Sequence, residues 1–378
     1  MRSMIKVLLF AAVLLPFVSC AGGPDYMAYE TVFYTSLGTK ADQVGCNIPD
    51  LKVAFTDENQ FLIPDYIDVP TSVQIYRNKV YIADKYNKCV SVFNLNRDPV
   101  TNLNIPNQGE GYSFDVPFQV ILNKYGEIFV LASVSNYSEQ VEVFEQYYVY
   151  KFNIYGKFIY RIGINGINSG PMAYPDRIDV DLFGNLYVYI REEDGDQMAW
   201  VVKRFLPSGE MSFEFRTDYL AQTHTDGDKT FMVNYSDVYN LKNDEKLLLF
   251  SQQYLIEKKD KPVEIPNEVY NVLNLYSILQ NSMEKLIYRS ADNMDSLLGV
   301  TRDDVVVTYA YDEKNKGVGF RFVELSDKLE SAKVFYAPHV MDYCITMSYF
   351  IDIRGEIYSV IIKDNEYYVI LHWIKKNP

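Results

Sequence analysis

A short pattern recurs along most of the chain, and this recurrence restricts the possible folds more than any other feature of the sequence. The clearest copy is YPDRIDVDLFGNLYVYI (residues 174–190), in which a proline leads an alternating run, a Gly-Asn turn follows and a second apolar run ends the unit. Copies recur at intervals of roughly 45 to 60 residues, a spacing on the scale of a propeller blade. The six copies occupy residues 69–95, 116–132, 174–190, 236–252, 297–311 and 349–362.

The clearer copies are followed by a second pair of runs. After residues 174–190 the chain continues as WVVKRFLPSGEMSFEF (residues 200–215), where a Pro-Ser-Gly turn separates two runs, and the second copy continues in the same way through residues 147–163. One unit therefore contains four strands, A to D, with turn residues at the reversals. Four-stranded units repeated around an axis are the blades of a β-propeller, and one blade buries both faces only between neighbours. The sequence predicts an all-β fold, a six-bladed β-propeller of four-stranded antiparallel blades.

Closure of the ring requires one strand from the other end of the chain. The last copy provides three strands, up to residue 374, and a fourth is missing. We expect an N-terminal strand to close this last blade as its outermost strand, and DLKVAF (residues 50–55) is the candidate. The predicted propeller domain is therefore residues 43–378. A seven-bladed ring, in which residues 26–66 form an additional blade, is the alternative.

Acidic residues at strand ends have two interpretations. Asp179 and Asp181 lie beside the turn at Gly184 and resemble a catalytic pair when they are viewed in isolation. Carboxylates at such positions commonly accept hydrogen bonds from turn amides, and glycine permits the positive φ of a tight reversal. We therefore expect these two carboxylates to be structural.

The N-terminus carries a secretion signal. Arg2 and Lys6 precede an apolar run over residues 7–18, which is too short to span a bilayer as a mature helix, and Cys20 follows a small serine. The segment LLPFVSC resembles a bacterial lipoprotein lipobox. This resemblance implies that residues 1–19 are a cleaved signal peptide and that lipid is attached to Cys20. A plain secretory signal, in which the cysteine occurs by chance, is the alternative.

The lipid would be the membrane anchor of the mature protein. A diacylated cysteine with an acylated amine holds a chain stably, because two or more acyl chains are needed for lasting attachment. Residues 20–42 are then the lipidated cysteine and its tether. Ala21 is not the aspartate-type signal for retention at the inner membrane, so we expect the outer membrane, with the propeller facing the periplasm or the cell surface.

Composition excludes some partners. The chain has a net charge of −14, which becomes −16 when residues 1–19 are removed with their two basic residues. An acidic surface of this size argues against nucleic acid as a partner and against electrostatic attachment to a membrane. Aromatic residues make up 15% of the chain, with 33 tyrosines, and this favours pleated, half-buried surfaces.

The cysteines say little about function. Cys46, Cys89 and Cys344 remain besides the predicted lipidation site, and they form no CxxC pair. This set indicates neither a disulfide scaffold nor a zinc site and allows at most one disulfide. Buried, unreactive thiols are the simplest interpretation. Cys46 and Cys344 are a candidate pair, because both could lie in the closing blade.

One copy resembles a known repeat. VYIADKYNKCVSVF (residues 80–93) is similar to the core of an NHL repeat, in which a strand ends in Asp, an Asn follows and the next strand carries an apolar residue and Phe. The matching residues are Asp84, Asn87, Val90 and Phe93. Over residues 66–376 the chain resembles the NHL-like six-bladed propeller lipoproteins of diderm bacteria. The resemblance implies the fold rather than a function, because propellers include binding proteins, scaffolds and enzymes.

Function is expected on the face of the ring where the B–C loops and the D–A connections lie. Long B–C loops are predicted at residues 133–146, 191–199, 257–268 and 312–317, and long loops commonly carry function. The binding-face candidates are acidic residues of two of these loops, namely Glu139, Glu142, Glu192, Glu193, Asp194 and Asp196. They could bind a cation or a basic partner, or they could form solvated acidic loops. Their spacing fits no EF-hand pattern.

Catalytic motifs are sparse. The three histidines, His224, His339 and His372, form no HxH or HExxH arrangement, and the chain has no GxSxG, no P-loop and no GxGxxG after a strand. Some six-bladed propellers bind a metal near the axis and hydrolyse lactones or cleave peptidyl hydroxyglycines. Weak metal-ligand candidates at the starts of the A strands are Asp115, Asp176, Asp237 and Asp342. We expect no catalytic residue, no bound metal and no cofactor, since Asp is also common at turns.

These observations predict a membrane-anchored lipoprotein whose propeller is a non-catalytic scaffold that binds an envelope protein or a peptide. A carbohydrate- or peptide-binding accessory protein is the first alternative, and a metal-dependent hydrolase or lyase is the second. Three structural outcomes distinguish them. Solvent-facing tyrosines on the long-loop face favour sugar binding, convergent axial carboxylates or histidines favour catalysis, and neither feature favours a protein scaffold.

Overall fold

The computed structural model describes most of the chain downstream of the N-terminal segment. The described residues are 25–40, 42–46, 69–95, 104–135, 145–194, 197–259, 261–263, 269–290, 296–312, 317–325, 334–337, 344–352, 354–364 and 366–375. Several predicted features lie outside these residues: the signal peptide, Cys20, the candidate strand at residues 50–55, Glu139, Glu142, Asp196, His339 and Asp342. In the described part of the chain, no helix is long and apolar enough to cross a bilayer.

The described residues form six blades, with strands numbered in chain order from β1 (Asp25–Ser36). Blade 1 contains β2 (Val73–Tyr76), β3 (Lys79–Asp84), β4 (Cys89–Asn94) and β5 (Ile105–Pro106). The strands β6 (Gln108–Gly109) and β7 (Tyr112–Ser113) pair with each other after blade 1. Blade 2 contains β8 (Val116–Leu122), β9 (Ile128–Ser135), β10 (Glu145–Phe152) and β11 (Phe158–Gly163), with β12 (Gly166–Ile167) at its outer edge. Blade 3 contains β13 (Pro175–Val180), β14 (Leu186–Asp194), β15 (Gln197–Phe205) and β16 (Met211–Arg216).

The second half of the ring has the same organisation. A single turn of 3-10 helix (Thr217–Tyr219) and β17 (Thr223–Asp226) lead into blade 4. Blade 4 contains β18 (Lys229–Asn240), β19 (Lys246–Lys258), β21 (Val269–Ser277) and β22 (Ser282–Ser290), with β20 (Lys261–Pro262) paired to β19. Blade 5 contains β23 (Ser296–Val300), β24 (Val306–Asp312), β25 (Gly317–Val323) and β26 (Val334–Ala337). Blade 6 contains β27 (Cys344–Ile351), β28 (Ile357–Lys363), β29 (Tyr367–Lys375) and β1.

The core is divided among the junctions between blades. The described residues form six clusters of buried side chains, and each cluster joins two neighbouring blades. Ile178 and Val180 alternate towards the junction of blades 2 and 3, as their spacing predicts. Because every blade is buried on both faces by its neighbours, the ring has no single central core. The predicted all-β, six-bladed propeller is confirmed.

In blades 2, 3 and 6, the turns between the A and B strands share one hydrogen-bonding pattern. In blade 3, Oδ1 of Asp181 accepts hydrogen bonds from the amides of Phe183 and Asn185, both at 2.9 Å, and Gly184 adopts a φ of +88°. Asn123 and Asp352 make the same pair of bonds in blades 2 and 6. The structural role predicted for Asp181 is therefore confirmed.

Asp179 has a different partner from the one we expected. One of its carboxylate oxygens accepts a hydrogen bond from the next amide in the chain, that of Val180, at 2.8 Å. Its other oxygen pairs with the ammonium group of Lys242, which lies in the A–B turn of blade 4. Asp179 thus joins two blades rather than closing its own turn.

An N-terminal strand closes blade 6, but it is not the segment that we expected. The strand β1 pairs antiparallel with β29, from Met27 opposite Lys375 to Ser36 opposite Tyr367. The assignment of residues 50–55 to this position is therefore wrong, and residues 25–36 of the predicted tether at residues 20–42 form this strand instead. Residues 20–24 lie outside the described residues. The register shifts between Thr31 and Phe33, and this irregularity interrupts the period-two pattern by which a strand is recognised. The seven-bladed alternative is also wrong, because β1 pairs with β29 of blade 6 and, through Asp25 and Tyr26, in parallel with β26 of blade 5, and forms no blade of its own.

The ring has two distinct faces. We call the side with the A–B turns the turn face, and its described tips include Asn78, Tyr125, Phe183, Asn243, Asp303 and Gly355. We call the opposite side, with the B–C loops and the D–A connections, the loop face, and it includes Asp115, Tyr174, Tyr219 and Glu366.

Candidate binding face

A channel runs along the axis of the ring. Its volume is about 200 Å³, and A strands of all six blades contribute to its wall. The wall includes Gln74, Gln119, Arg177, Tyr239, Gly299 and Tyr349. Gln119 is fixed by the backbone of Ile178 in the next blade, since its amide donates to the carbonyl oxygen at 3.0 Å and accepts from the N–H at 2.6 Å. The channel therefore has a mixed wall, in which Gln119 links two neighbouring blades and apolar side chains such as Leu298 and Phe350 line other parts.

Arg177 occupies the loop-face end of this channel. Its Nη2 lies 2.6 Å from Oδ1 of Asp237, and its Nη1 lies 3.1 Å from Oδ2 of Asp176. Its Nε has no hydrogen-bond partner in the described structure, but its guanidinium carbon lies 4.4 Å from the ring centre of Tyr189 and 4.2 Å from that of Tyr239. The π faces of these two tyrosines stabilise the cation where a further hydrogen bond is missing.

The electrostatics of this cluster keep the ion pairs charged. Burial disfavours the charged form of the Arg177 guanidinium. The surrounding Tyr239, Asp237 and Asp176 favour it, and its pKa stays above the usual value. Burial also raises the pKa of Asp237, and the attraction of Arg177 opposes this shift. Asp176 forms a second ion pair, with Nε of Arg191 at 3.0 Å. The mouth of the channel is thus a closed network of two arginines and two carboxylates.

The four weak metal-ligand candidates are not brought together as a metal site. Asp176 and Asp237 meet, but the guanidinium of Arg177 stands between them, and a cation at this position does not leave room or charge for a metal ion. Asp115 lies elsewhere on the loop face and accepts a hydrogen bond from the amide of Ser135, while Asp342 lies outside the described residues. Among the residues that the structure describes, no three His, Cys, Asp or Glu side chains are grouped to hold a metal.

The acidic candidates of blade 3 lie on a strand and not in a loop. The strands β14 and β15 extend to a pairing of Asp194 with Gln197, so the long loop predicted at residues 191–199 is wrong. Glu193 and Asp194 lie on this extension. Glu192 lies 2.8 Å from Nη1 of Arg216, which also pairs with Asp218 at 3.0 Å. The charge of Glu192 is therefore neutralised within the protein.

The histidines also do not meet at the axis. His224 is exposed on β17, and His372 lies between Glu30 and Glu356 in blade 6. Cys89 is a free thiol whose pKa burial raises to about 11, which makes it a poor nucleophile. The pairing of Cys46 with Cys344 stays a prediction, because the side chain of Cys344 is outside the description.

An aromatic row crosses the loop face beside the channel mouth. It consists of Phe118, Tyr147 and Tyr174, with ring centres 5.5 Å apart in the first pair and 6.1 Å apart in the second. Phe118 is 42% exposed and Tyr174 is 66% exposed, while Tyr147 is buried beneath them. Large apolar rings lying side by side at the surface are costly to leave in water, and such surfaces commonly bind a partner.

Two backbone irregularities produce the row. The register of β8 shifts between Pro117 and Gln119, and this bulge leaves Phe118 unpaired and directed outwards. Tyr174 has a φ of +40°, a left-handed conformation that costs a non-glycine residue about 1–2 kcal/mol. Strain of this kind persists where the surrounding structure enforces it, often at sites of function.

Charged groups border the row. Arg191 pairs with Asp176, which follows Tyr174 by two positions. Arg191 also stacks on Trp200, with its guanidinium carbon 4.6 Å from the ring centre. Tyr219 is also strongly exposed on this face, in the connection to blade 4. Sequence reasoning missed all these aromatic residues as a site. The available signal was the aromatic residue next to each leading proline, in VPF (residues 116–118) and YPD (residues 174–176).

The fold and this face together define a six-bladed β-propeller with an aromatic surface at one end of its axial channel. No protein-family model matches the chain. No curated protein matches it either. The resemblance to NHL repeats therefore stays a prediction.

Solved structures match over most of the chain, at low identity. The chain is similar to a protein of unknown function from Dyadobacter fermentans, with 8% identity and a TM-score of 0.45 over 92% of this chain and 99% of that one. It is similar to the polysaccharide lyase Uly1, with 10% identity and a TM-score of 0.44 over 92% and 100%. It is similar to a gluconolactonase from Xanthomonas campestris, with 10% identity and a TM-score of 0.39 over 80% and 85%. Values this low give no basis for assigning an activity to this chain.

Proposed function

We propose that this protein is a membrane-anchored, non-catalytic binding module whose loop face holds a carbohydrate ligand on the aromatic row. The observation that carries the proposal is the row itself, in which the exposed rings of Phe118 and Tyr174 each contact the buried Tyr147. Sugar rings present flat patches of C–H groups, and such patches pack on aromatic faces. The exposed tyrosines of this face, Tyr174 and Tyr219, support sugar binding, for which solvent-facing tyrosines were the sequence-based criterion.

The polar border of the row supports the same ligand. The ion pair of Arg191 and Asp176 adjoins the row and places donors and acceptors next to apolar rings. A few convergent polar groups beside an aromatic surface are typical of small-molecule and saccharide sites, because the rings supply area and the polar groups fix orientation. A non-catalytic role is consistent with the arginine that occupies the channel mouth between Asp176 and Asp237.

The anchoring part of the proposal rests on the sequence alone. The lipobox-like segment before Cys20 supports lipid attachment, and the lipid supports a location at the outer membrane facing the periplasm or the cell surface. Intact-mass analysis of the protein extracted from membranes, with Cys20→Ser as the control, tests this part directly. A mass increase that matches a diacylglyceryl group and one amide-linked acyl chain, and that disappears in the variant, is the expected result.

A glycan-binding experiment tests the ligand. The mature protein is screened against a set of bacterial and plant polysaccharides, and hits are titrated by calorimetry. Tyr174→Ala and Phe118→Ala should each weaken binding by about 3- to 10-fold, which corresponds to the ~0.5–1.5 kcal/mol of a single aromatic contact. Tyr155→Ala is the matched control, because Tyr155 is 82% exposed but lies in a C–D turn on the other face. Equal effects of all three variants, or no glycan binding at all, would overturn the proposal.

A scaffold for an envelope protein or peptide is the second candidate. Tyr, Trp and Arg dominate hot spots of protein interfaces, and the loop face presents Tyr174, Tyr219 and Arg191 together. Co-purification from mildly solubilised membranes tests it. A stoichiometric envelope protein that is lost in the Tyr174→Ala variant would favour the scaffold over the carbohydrate ligand.

A further inference from the structure

The turn face also exposes large apolar side chains, at the tips of its turns. We call Tyr125, Tyr155, Phe183 and Leu279 the turn-face patch. Tyr125 and Phe183 belong to the A–B turns of blades 2 and 3, and Tyr155 and Leu279 belong to the C–D turns of blades 2 and 4. Tips of turns are normally polar, so four apolar tips on one face need an explanation.

The tips are not required by the fold. Their turns are held by backbone and side-chain oxygens, such as Oδ1 of Asn123 and Asn153, which accept hydrogen bonds from the amides of Tyr125 and Tyr155 at 3.0 and 2.9 Å. The rings themselves project into solvent, and Phe183 is 54% exposed. Lys124 extends over the ring of Tyr125, with its Nζ 5.0 Å from the ring centre. Aromatic rings with a lysine at their side are typical of residues at a membrane–water interface.

A second observation places the beginning of β1 on the same side of the ring. Near its beginning, β1 is linked through His372 to the A–B turn of blade 6, because Nδ1 lies 3.2 Å from Glu30 and Nε2 lies 3.3 Å from Glu356. At its end, the amide of Leu37 donates to the carbonyl oxygen of Glu366, at 2.8 Å, in the B–C turn. The strand therefore begins on the side of the turn face and ends on the loop face.

The segment between Cys20 and β1 is short. Five residue steps separate Cys20 from Asp25, and even a fully extended chain of that length spans only about 17 Å. A lipid on Cys20 would therefore hold the edge of blade 6 on its turn-face side within about 17 Å of the acyl chains.

We infer that the turn face of the propeller lies against the bilayer and that the turn-face patch inserts into its interfacial region. The inference rests on the proposed lipidation of Cys20. Blade 3, which carries Phe183, lies opposite blade 6 in the ring of six, so anchor and patch contact the membrane on opposite sides of the axis. Two such contacts fix the ring flat and direct the aromatic row of the loop face away from the membrane.

The contact is apolar rather than electrostatic. The net charge, −14 for the whole chain and −16 without residues 1–19, opposes attraction to an anionic surface, and the patch contributes buried apolar area instead. Each ring that enters the interface adds a modest gain, while the lipid provides the lasting attachment. The patch therefore determines the orientation of the propeller, and the lipid keeps the protein attached to the membrane.

Photocrosslinking in the membrane-bound, full-length protein tests the inference. Benzoylphenylalanine replaces Phe183 in one variant and Phe118 in the other, two phenylalanines of similar exposure on opposite faces. After irradiation, lipid adducts are counted by intact-mass analysis, which distinguishes them from the acyl chains attached to Cys20. Several-fold more lipid adduct at position 183 than at position 118 is the expected result.

The other outcomes are informative in different ways. Equal or reversed lipid adducts in protein whose mass shows the lipid on Cys20 overturn the orientation and leave the proposed function intact. A protein adduct at position 183 shows that this face binds a protein instead and also overturns the inference. Absence of the lipid mass on Cys20 overturns both the anchoring proposal and this inference, and glycan binding on the loop face is then judged by its own titration.

Discussion

The closing strand can be tested by one core substitution. Phe33 lies in β1, is almost completely buried at the junction of blades 6 and 1, and contacts Phe93 with ring centres 5.1 Å apart. Truncation of such a residue removes its transfer free energy and leaves a cavity, so Phe33→Ala should lower the free energy of unfolding by about 3–5 kcal/mol. Tyr34, the next residue of the same strand, is 50% exposed. Tyr34→Ala should change the stability by no more than about 0.5 kcal/mol.

Urea unfolding of the mature protein measures this difference. Trp373 is buried in β29 and contacts Tyr29 of β1, with ring centres 5.4 Å apart, so its fluorescence reports on this blade. The transition midpoint should fall in Phe33→Ala and stay unchanged in Tyr34→Ala, with similar slopes in both. If the two variants have the same midpoint as the parent, residues 25–36 do not close the ring as the fourth strand of blade 6.

Three further predictions concern turns, charges and pH. Asp181→Ala leaves two turn amides without their acceptor and should cost about 1–3 kcal/mol, whereas Asp181→Asn retains an accepting oxygen and should lose less, by thermal unfolding. Gly184→Ala forces a side chain into φ +88° and should cost about 1–2 kcal/mol in the same assay; an unchanged melting temperature would contradict the turn geometry. Burial raises the pKa of Asp304 and of Asp237, so the folded protein binds protons more tightly than the unfolded chain there; these groups should add to the stability as the pH falls towards their unfolded pKa of about 3.8, and Asp304→Asn should weaken this pH dependence in thermal unfolding.

Local features of the fold were predictable because their causes are local. The turn at residues 181–185 needs an acceptor at its start and a residue that tolerates positive φ near its end, and Asp181 and Gly184 meet both needs within four positions. The alternation of Ile178 and Val180 follows from the pleat of a strand. Repetition of such units predicted the number of blades.

The candidate site was less predictable, because it depends on which blades become neighbours. Asp176 and Asp237 were recognised as acids at the starts of A strands. The guanidinium of Arg177 lies between their carboxylates only because blades 3 and 4 pack together. The exposure of Phe118 depends on a bulge, which inserts one residue into the pairing without a clear sign in the sequence. The interpretation of these acids as metal-ligand candidates considered the acids alone, without the arginine that lies between two of them in the fold.

The sequence by itself determined the repeating unit, the turn chemistry and the acidic character of this protein, because each depends on residues a few positions apart. Only the tertiary structure decided that Asp25–Ser36 completes blade 6 against Tyr367–Lys375. It also decided that two carboxylates meet an arginine and that aromatic rings gather on the loop face. Such contacts join residues tens to hundreds of positions apart, and their partners are chosen by the packing of whole blades rather than by any local preference.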